Sequence, residues 1–390
     1  MKDTKTFFGI ASILVGFISV ATALCYASSS SPLQLLPKSV EWRGGSKASM
    51  TEFMNAVAYT SKNGVLTFYQ HDYPKPILRD DQVLVKVMAS SVNPVDFKLR
   101  RNAKFIPNFV LPQPKIPGAD LAGKIVQVGS KVEALKLNDR VAAMIPLFGQ
   151  QWGANAEYVA INASLVSKIP ENVDYQSAAS IPLVSLTTFK SLNKLSSPTK
   201  GKKILIHAGA GGVGTFAIQY AKHVLGMYVA TTASKEKTDL LQSLGADLVI
   251  DYTSQDFTSL LQDYDAVLDP MSYLYERKSL QCLKRSGHYL NILSSGWSLR
   301  NGKEQGLGII TIWNLIKHKL VNFILPGRIC KYDLAFVEPN GSQLQVALEL
   351  VGSGTIQPVI DKVYSLSDVG DAHNYLETGH ATGKVVIKHE

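Results

Sequence analysis

Lys203-Ile204-Leu205-Ile206-His207-Ala208-Gly209-Ala210-Gly211-Gly212-Val213-Gly214 joins a short apolar run to a glycine loop. The run from Lys203 to Ala208 predicts a buried strand. From Val213 to Leu225 the apolar residues recur at helical spacing. The loop between them, Gly209 to Gly214, satisfies G-x-G-x-x-G with a strand before it and a helix after it, the context that gives the pattern meaning. Gly209 permits the tight turn, Gly211 lets the backbone approach a pyrophosphate, and Gly214 lets the helix pack close to the strand. The N–H groups that open such a helix, at Gly212 and Val213, favour phosphate together with the helix dipole. Dinucleotide binding is the expectation, against a plain strand-to-helix packing turn.

Downstream, the stretches from Tyr228 to Thr232, Leu248 to Tyr252, Ala266 to Asp269 and Tyr289 to Leu293 read as further strands, with helical stretches between them and one helix ending near Leu244. Alternating strand and helix predicts an α/β fold with a doubly wound parallel sheet of the Rossmann type. NAD-binding sheets carry an acid at the end of the second strand, for the ribose hydroxyls. Here that position reads Thr231-Thr232-Ala233-Ser234-Lys235-Glu236-Lys237. Ser234 and Lys237, with Lys235, offer a hydroxyl and positive charge to a 2′-phosphate, which predicts NADPH over NADH. Exposed lysines in a first helical turn are the alternative.

Upstream, the stretch from Val83 to Ala89 alternates as a half-buried strand. Short strands follow, punctuated by Gly118, Gly123 and Gly129, then from Asp139 to Met144 and from Ala156 to Ile161. They predict a small β-barrel-type domain running from about Phe53 to residue 180. Farther upstream, Phe7 to Ala27 is uncharged and mostly apolar, behind Lys2 and Lys5 and ahead of a serine run. That length can span a bilayer, and Cys25-Tyr26-Ala27 would also serve as a signal cleavage site. Both readings stay open: a membrane anchor, or targeting to the secretory pathway or by two-step plastid-type import, with a mitochondrial destination as the alternative.

The chain of 390 residues carries a formal net charge of +9, and 46% of its residues are hydrophobic, enough for two packed domains. Its Lys and Arg are scattered, with no dense basic run among aromatics, so nucleic acid is not an expected partner. Cys25, Cys282 and Cys330 lie far apart and form neither a disulfide framework nor a zinc ribbon. Ile309 to Leu325 has helical spacing but is interrupted by Lys317, His318 and Lys319. It predicts a helix that caps the substrate cleft or packs on a second subunit, with a membrane-surface role as the alternative.

The layout resembles the medium-chain dehydrogenase/reductase superfamily, and further motifs narrow it to the zinc-free quinone oxidoreductase (ζ-crystallin-like) branch. Asn93-Pro94-Val95-Asp96 looks like that branch's N-P-x-D, and Pro117 to Gly123 its P-G-x-D-x-x-G turn. Ala178 to Thr188 resembles the stretch that brings a threonine, here Thr187, near the nicotinamide. Val249 to Tyr252 matches a segment whose tyrosine lies by the adenosine phosphate. Gly379 to Lys384 is similar to the closing motif of plastid-envelope quinone oxidoreductases and mitochondrial reticulon-interacting reductases. The resemblance implies a GroES-like catalytic domain at 53–180 and 326–390, a nucleotide domain at 181–325, and a linker at 28–52. Asn93, Asp96 and Thr187 are the catalytic candidates for positioning the nicotinamide and the acceptor oxygen, against an Asx-type turn at Asn93 and a helix-start carboxylate at Asp96. The resemblance places Gly209, Gly211, Gly212, Val213, Gly214, Ser234, Lys237, Tyr252, Leu293, His380 and Lys384 at the cofactor, and it implies a homodimer.

Two departures shape the chemistry. Asn93 stands where zinc-dependent relatives have a catalytic cysteine, and Ala119-Asp120 replaces their His-Glu, so no metal site assembles. Relatives also read D-N-V-G-G where Asp269-Pro270-Met271-Ser272 stands here. Without a Lewis acid the acceptor must already be electrophilic: a quinone or an α,β-unsaturated carbonyl, its developing oxyanion held by hydrogen-bond donors. Tyr59 and Lys98 are further candidate donors. An enoyl-thioester reductase and a non-catalytic NADPH-binding protein remain the alternative expectations.

Overall fold

The computed structural model describes residues 52–62, 65–102, 115–149, 152–271, 275–292, 299–300, 303–304, 309–324 and 329–389. The expected N-terminal apolar segment, residues 28–51, Ser272 and Leu293 lie outside the described residues.

Six parallel strands form one sheet, in the order Leu248–Asp251, Tyr228–Ala233, Lys203–Ile206, Tyr264–Asp269, Leu283–Ile292, Lys331–Ala335. The chain leaves Lys203–Ile206 in one direction for two strands and in the other for three, so the order reverses beside that strand and opens a crevice at its C-terminal end. Both faces are covered, which is why Ile204, Leu205 and Ile206 form a continuous apolar run. Ile204 and Ile206 pack with Leu186, Phe189 and Phe216, while Leu205 packs with Ile250, Val267 and Tyr289 on the other side. The helix expected from Val213 is Gly212–Gln219, continued by a π turn, Tyr220–Val224, that closes with Leu225 N donating to the Tyr220 carbonyl at 3.1 Å.

The second sheet has Ile360–Ser365, Lys384–Lys388, Gln82–Val92, Asp120–Val128, Arg140–Met144 and Val166–Lys168 in order, with Tyr158–Asn162 also paired to Gln82–Val92. The long strand Gln82–Val92 bends the sheet toward a barrel. Its first half pairs with Tyr158–Asn162, and its last residues pair with Lys384–Lys388. Val83, Val85 and Val87 fill the enclosed space with Leu121, Ile125 and Val141.

The division expected at residue 325 falls short. Lys331–Ala335 is the sixth strand of the nucleotide sheet, and the chain rejoins the barrel sheet only at Ile360–Ser365. Polar residues hid this strand: Lys331 is exposed at the sheet's end and Asp333 bonds His288 at 2.6 Å. Ile309–Ile324 is a helix of 16 residues, with His318 buried against the Cys330 carbonyl and Leu320, Phe323 and Ile324 exposed. Among the described residues no helix is long and apolar enough to cross a membrane.

Candidate active site

The strand Gln82–Val92 ends at Asn93, which caps the helix Pro94–Asn102. Asp96 reaches back to accept from the Asn93 backbone N–H at 2.8 Å, and the Asp96 N–H donates to the Asn93 carbonyl at 2.9 Å, a reciprocal cap. Asn93 makes no side-chain bond to its own turn. Its Nδ2 donates to Asp120 Oδ2 at 2.8 Å and its Oδ1 accepts from Lys384 Nζ at 2.5 Å. Asp120 is the centre of this network. It also accepts from Ser91 Oγ at 2.8 Å, Lys384 Nζ at 3.2 Å and the Leu183 N–H at 2.8 Å. Such a buried carboxylate persists because each oxygen meets donors and one of them is a cation. Sequence reading missed Ser91 and Asp120 as site residues. The aspartate of the P-G-x-D-x-x-G turn was the available signal.

Lys384 was expected at the cofactor as a cation. It is 5% exposed, and its ammonium reaches Asn93, Asp120 and the Val92 carbonyl, so its charge is engaged within the protein instead. Its stem still approaches the glycine loop: a Cβ on Gly212 would lie 2.8 Å from Lys384 Cδ. Gly383 N–H donates to the Ala210 carbonyl at 2.7 Å, latching the C-terminal segment onto the loop.

Within the loop the left-handed residue is Ala208, at φ 51, rather than Gly209. Gly209 is needed for another reason: a Cβ there would lie 2.0 Å from Thr231 Oγ1. A Cβ on Gly214 would lie 2.4 Å from the Ala208 carbonyl oxygen, the close helix–strand approach expected. Gly211 caps the helix that begins at Gly212, and the first-turn N–H groups there, Val213 included, have no acceptor within the helix.

Ser234, Lys235 and Lys237 follow Tyr228–Ala233 at the edge of the same crevice. Tyr252 joins them: its N–H bonds the Ala233 carbonyl at 3.2 Å while its side chain is exposed. The Ser234 hydroxyl bonds Glu236 and holds that carboxyl below its usual range. His380 is exposed, and its backbone N–H meets Thr378 Oγ1 at 3.4 Å. Asp269 accepts from Tyr289 OH at 2.6 Å and from the Met271 N–H at 2.7 Å, which fixes the start of the altered loop.

Thr187 sits on the helix Pro182–Leu192 and is 2% exposed. Its neighbours Ser185, Thr188 and Ser191 bond carbonyls of their own helix, whereas Thr187 Oγ1 has no partner among the described residues. A buried hydroxyl without a partner costs about 1–3 kcal/mol, so it marks a place for a ligand. With the open first turn at Gly212, this fits a bound dinucleotide.

One helical turn beyond Asn93 lies a small pocket, of about 20 Å³, lined by Tyr59, Asp96, Lys115, Pro117, Ala119 and Leu147, among others. Burial raises the Asp96 carboxyl to about 7, opposed by its bond from the Asn93 N–H and reinforced by Asp120. Burial lowers the Lys115 ammonium to about 8, and Asp96 pulls it back upward. Burial, and then Asp96, pushes the Tyr59 phenol well above its usual value. Tyr59 lines the pocket. Lys98 is half-buried and lowered to about 8 by burial. Lys115 was missed, since a lone lysine before Ile116-Pro117 carries no sequence signal. Among the described residues, no three His, Cys, Asp or Glu side chains converge as metal ligands.

A glycine crevice at the switch point of a parallel sheet, latched to a barrel lobe with a donor-lined pocket, defines a two-lobed dinucleotide-binding α/β protein. Residues 79–171 match the alcohol dehydrogenase GroES-like domain family, and residues 244–387 match the zinc-binding dehydrogenase family. The chain is 37% identical over 348 residues to 2-methylene-furan-3-one reductase of Solanum lycopersicum, covering 87% of this chain and 80% of the relative. It is 38% identical over 349 residues to the chloroplastic NADPH-dependent alkenal/one oxidoreductase of Arabidopsis thaliana, covering 87% and 81%. The solved quinone oxidoreductase of Coxiella burnetii superposes with a TM-score of 0.72 at 30% identity, covering 86% of this chain and 99% of that one. The chain belongs to the medium-chain dehydrogenase/reductase superfamily, in its quinone oxidoreductase-like branch. The family and both domain types expected from the motifs are those found.

Proposed function

We propose that this protein is an NADPH-dependent reductase of α,β-unsaturated carbonyls and quinones that works without zinc. The observation that carries this reading is the pocket beside Asn93, where Tyr59, Asp96 and Lys115 converge in buried surroundings. Buried donors stabilise an oxyanion far better than exposed ones do, and they can activate an acceptor that is already conjugated. The names of the two curated relatives, which specify an exocyclic enone and alkenals or enones, support an enone.

NADPH, when bound, supplies a hydride from its nicotinamide. Gly209 to Gly214 receive its pyrophosphate, and Ser234 and Lys237, with Lys235, meet the 2′-phosphate. Tyr252 would lie along the adenosine, and His380 would border the cofactor. Thr187 would offer its unpartnered hydroxyl to the nicotinamide end of the cofactor. Asn93, held by Asp120 and Lys384, would be a fixed polar group for the nicotinamide and the acceptor, and Asp96 would set the charge of the pocket.

The test is NADPH oxidation by chelator-treated protein with an exocyclic enone, a long-chain alkenal, a naphthoquinone and an enoyl thioester, with NADH in parallel. Turnover of the enone or the naphthoquinone is expected. Turnover of the thioester alone would assign an acyl-carrier reductase instead, and tight NADPH binding without any turnover would assign a binding protein. We also infer a homodimer, and delivery of the chain to an organelle or membrane by residues 7–27. The chloroplastic designation of one relative supports delivery to an organelle. A monomer by light scattering would refute the first, and identical cell fractionation after deletion of residues 1–51 would refute the second.

A further inference from the structure

We propose that Lys115 is the proton donor of the reduction, delivering its proton to the carbonyl oxygen of the acceptor. This rests on the enone and quinone reading above and names the acid that completes it. Lys115 stands two residues before the Pro117-Gly118 turn, and its main chain is clamped to Tyr59 by two hydrogen bonds of 2.9 Å, one in each direction. The backbone is thereby fixed beside the pocket, and burial restricts the side chain. It is 6% exposed, yet it lines the pocket with Asp96 and Tyr59.

The three groups divide the work by their chemistry. Tyr59 keeps its proton, because burial and the Asp96 charge oppose the phenolate. It can orient the carbonyl but does not protonate it. Asp96 is bound to the Asn93 N–H and serves as the neighbouring charge that keeps Lys115 protonated. Lys115 remains as a cation that can part with a proton near neutral pH. The other charged groups of the facing helix are Lys98, Arg100 and Arg101. Arg100 and Arg101 both pair with Glu377.

The step balances. A hydride brings two electrons from the nicotinamide to the β-carbon, the C=C pair moves toward oxygen, and the N–H bond of Lys115 breaks as the O–H bond forms. The products are the oxidised dinucleotide, an enol that ketonises in water, and a neutral amine that regains its proton from solvent. For a quinone the same proton goes to one of the two oxygens.

The experiment compares wild type with K115M and K115R in the full chain, following steady-state reduction of an exocyclic enone by NADPH from pH 6 to 10. NADPH affinity by fluorescence is the check on folding. It is expected to be unchanged, since Lys115 lies in neither the glycine loop nor the turn after Tyr228–Ala233. Wild-type kcat is expected to fall as pH rises through about 8, where Lys115 loses its proton. Both variants should lose on the order of 100-fold in kcat, as removal of a general acid does, and should lack that alkaline limb. The guanidinium introduced by K115R keeps the charge but cannot release its proton, so the activity lost in that variant separates proton donation from counter-charge to Asp96. Independently of turnover, the acetylation rate of Lys115, read by mass spectrometry, should rise through the same pH. D96N should move that midpoint lower. Variants within about threefold of wild type that keep the alkaline limb would overturn the assignment of Lys115 alone. A wild type that reduces neither enone nor quinone would overturn the proposed function with it.

Discussion

Two residues carry opposite signatures in stability and catalysis. Thr187 buries a hydroxyl without a partner, so T187V removes a penalty and breaks no bond within the protein. Its melting temperature should hold or rise, while kcat/KM for NADPH-dependent turnover falls roughly threefold to tenfold, the worth of one hydrogen bond. A variant that loses stability and keeps full activity would make Thr187 a packing residue. Asp120 is the converse. In D120A the Lys384 ammonium stays buried without its counter-ion, and Ser91, Asn93 and the Leu183 N–H each lose an acceptor. Breaking a buried pair from one side costs about 3–5 kcal/mol, which urea unfolding will read directly. A loss below about 1 kcal/mol would show that the network has another anchor.

At the scale of elements, the glycine loop separates folding from binding. A Cβ on Gly214 would collide with the Ala208 carbonyl, so G214A should fail to fold or lose most of its stability. A Cβ on Gly211 would meet Ala208 O at 3.3 Å, a contact that a small shift relieves, and its φ of -78° suits alanine. G211A should therefore fold with a wild-type circular dichroism spectrum yet bind NADPH more than about tenfold weaker, because its methyl would face the pyrophosphate in the proposed binding mode. Normal affinity would mean the phosphates lie elsewhere. The turn after Tyr228–Ala233 makes a separate test. K237E should raise the KM for NADPH by roughly tenfold or more, the loss of one charge-assisted bond, and leave NADH almost unchanged. Equal effects on both cofactors would remove the 2′-phosphate from this turn. The loop and this turn were legible because each rests on local sequence: spacing, glycine and charge within a dozen residues. The network around Asp120 was not, because Ser91, Asn93, Asp120, Leu183 and Lys384 come from four distant stretches and meet only when the barrel closes on the helix Pro182–Leu192. The same holds for Lys115, whose partners Tyr59 and Asp96 face it from another strand and a helix.

The whole molecule has an acid weakness spread over both lobes. His207 is buried in the nucleotide lobe, between Thr232 Oγ1 and Ser279 Oγ. His389 is buried in the barrel lobe, where its Nε2 meets Ser90 Oγ at 3.0 Å, and His373 lies on the helix Val369–Glu377 that packs beside it. Burial lowers their values to about 3, 4 and 3 for His207, His389 and His373, well below the ordinary value near 6.5. A depressed histidine stabilises the fold above its unfolded value and loses that contribution as pH falls toward its folded one. Asp96 runs the other way: raised to about 7, its contribution is lost as pH rises through that value and regained on acidification. Each group is worth about 1.4 kcal/mol per pH unit, so three against one leaves a net loss of roughly 3 kcal/mol per unit between pH 6.5 and 4. Two to three such units remove a large part of the roughly 5–15 kcal/mol by which a domain is stable. Urea midpoints should therefore drop steeply below pH 6.5, and D96N, which removes the opposing group, should make the drop steeper. Because the Asp120–Lys384–Leu183 contacts tie barrel, C-terminal strand and nucleotide-lobe helix together, tryptophan fluorescence and far-ultraviolet dichroism should report one shared transition. A midpoint that stays flat from pH 6.5 to 5 would show that the buried histidines reach solvent on unfolding too little to matter. Two separated transitions would show that the polar network does not join the lobes.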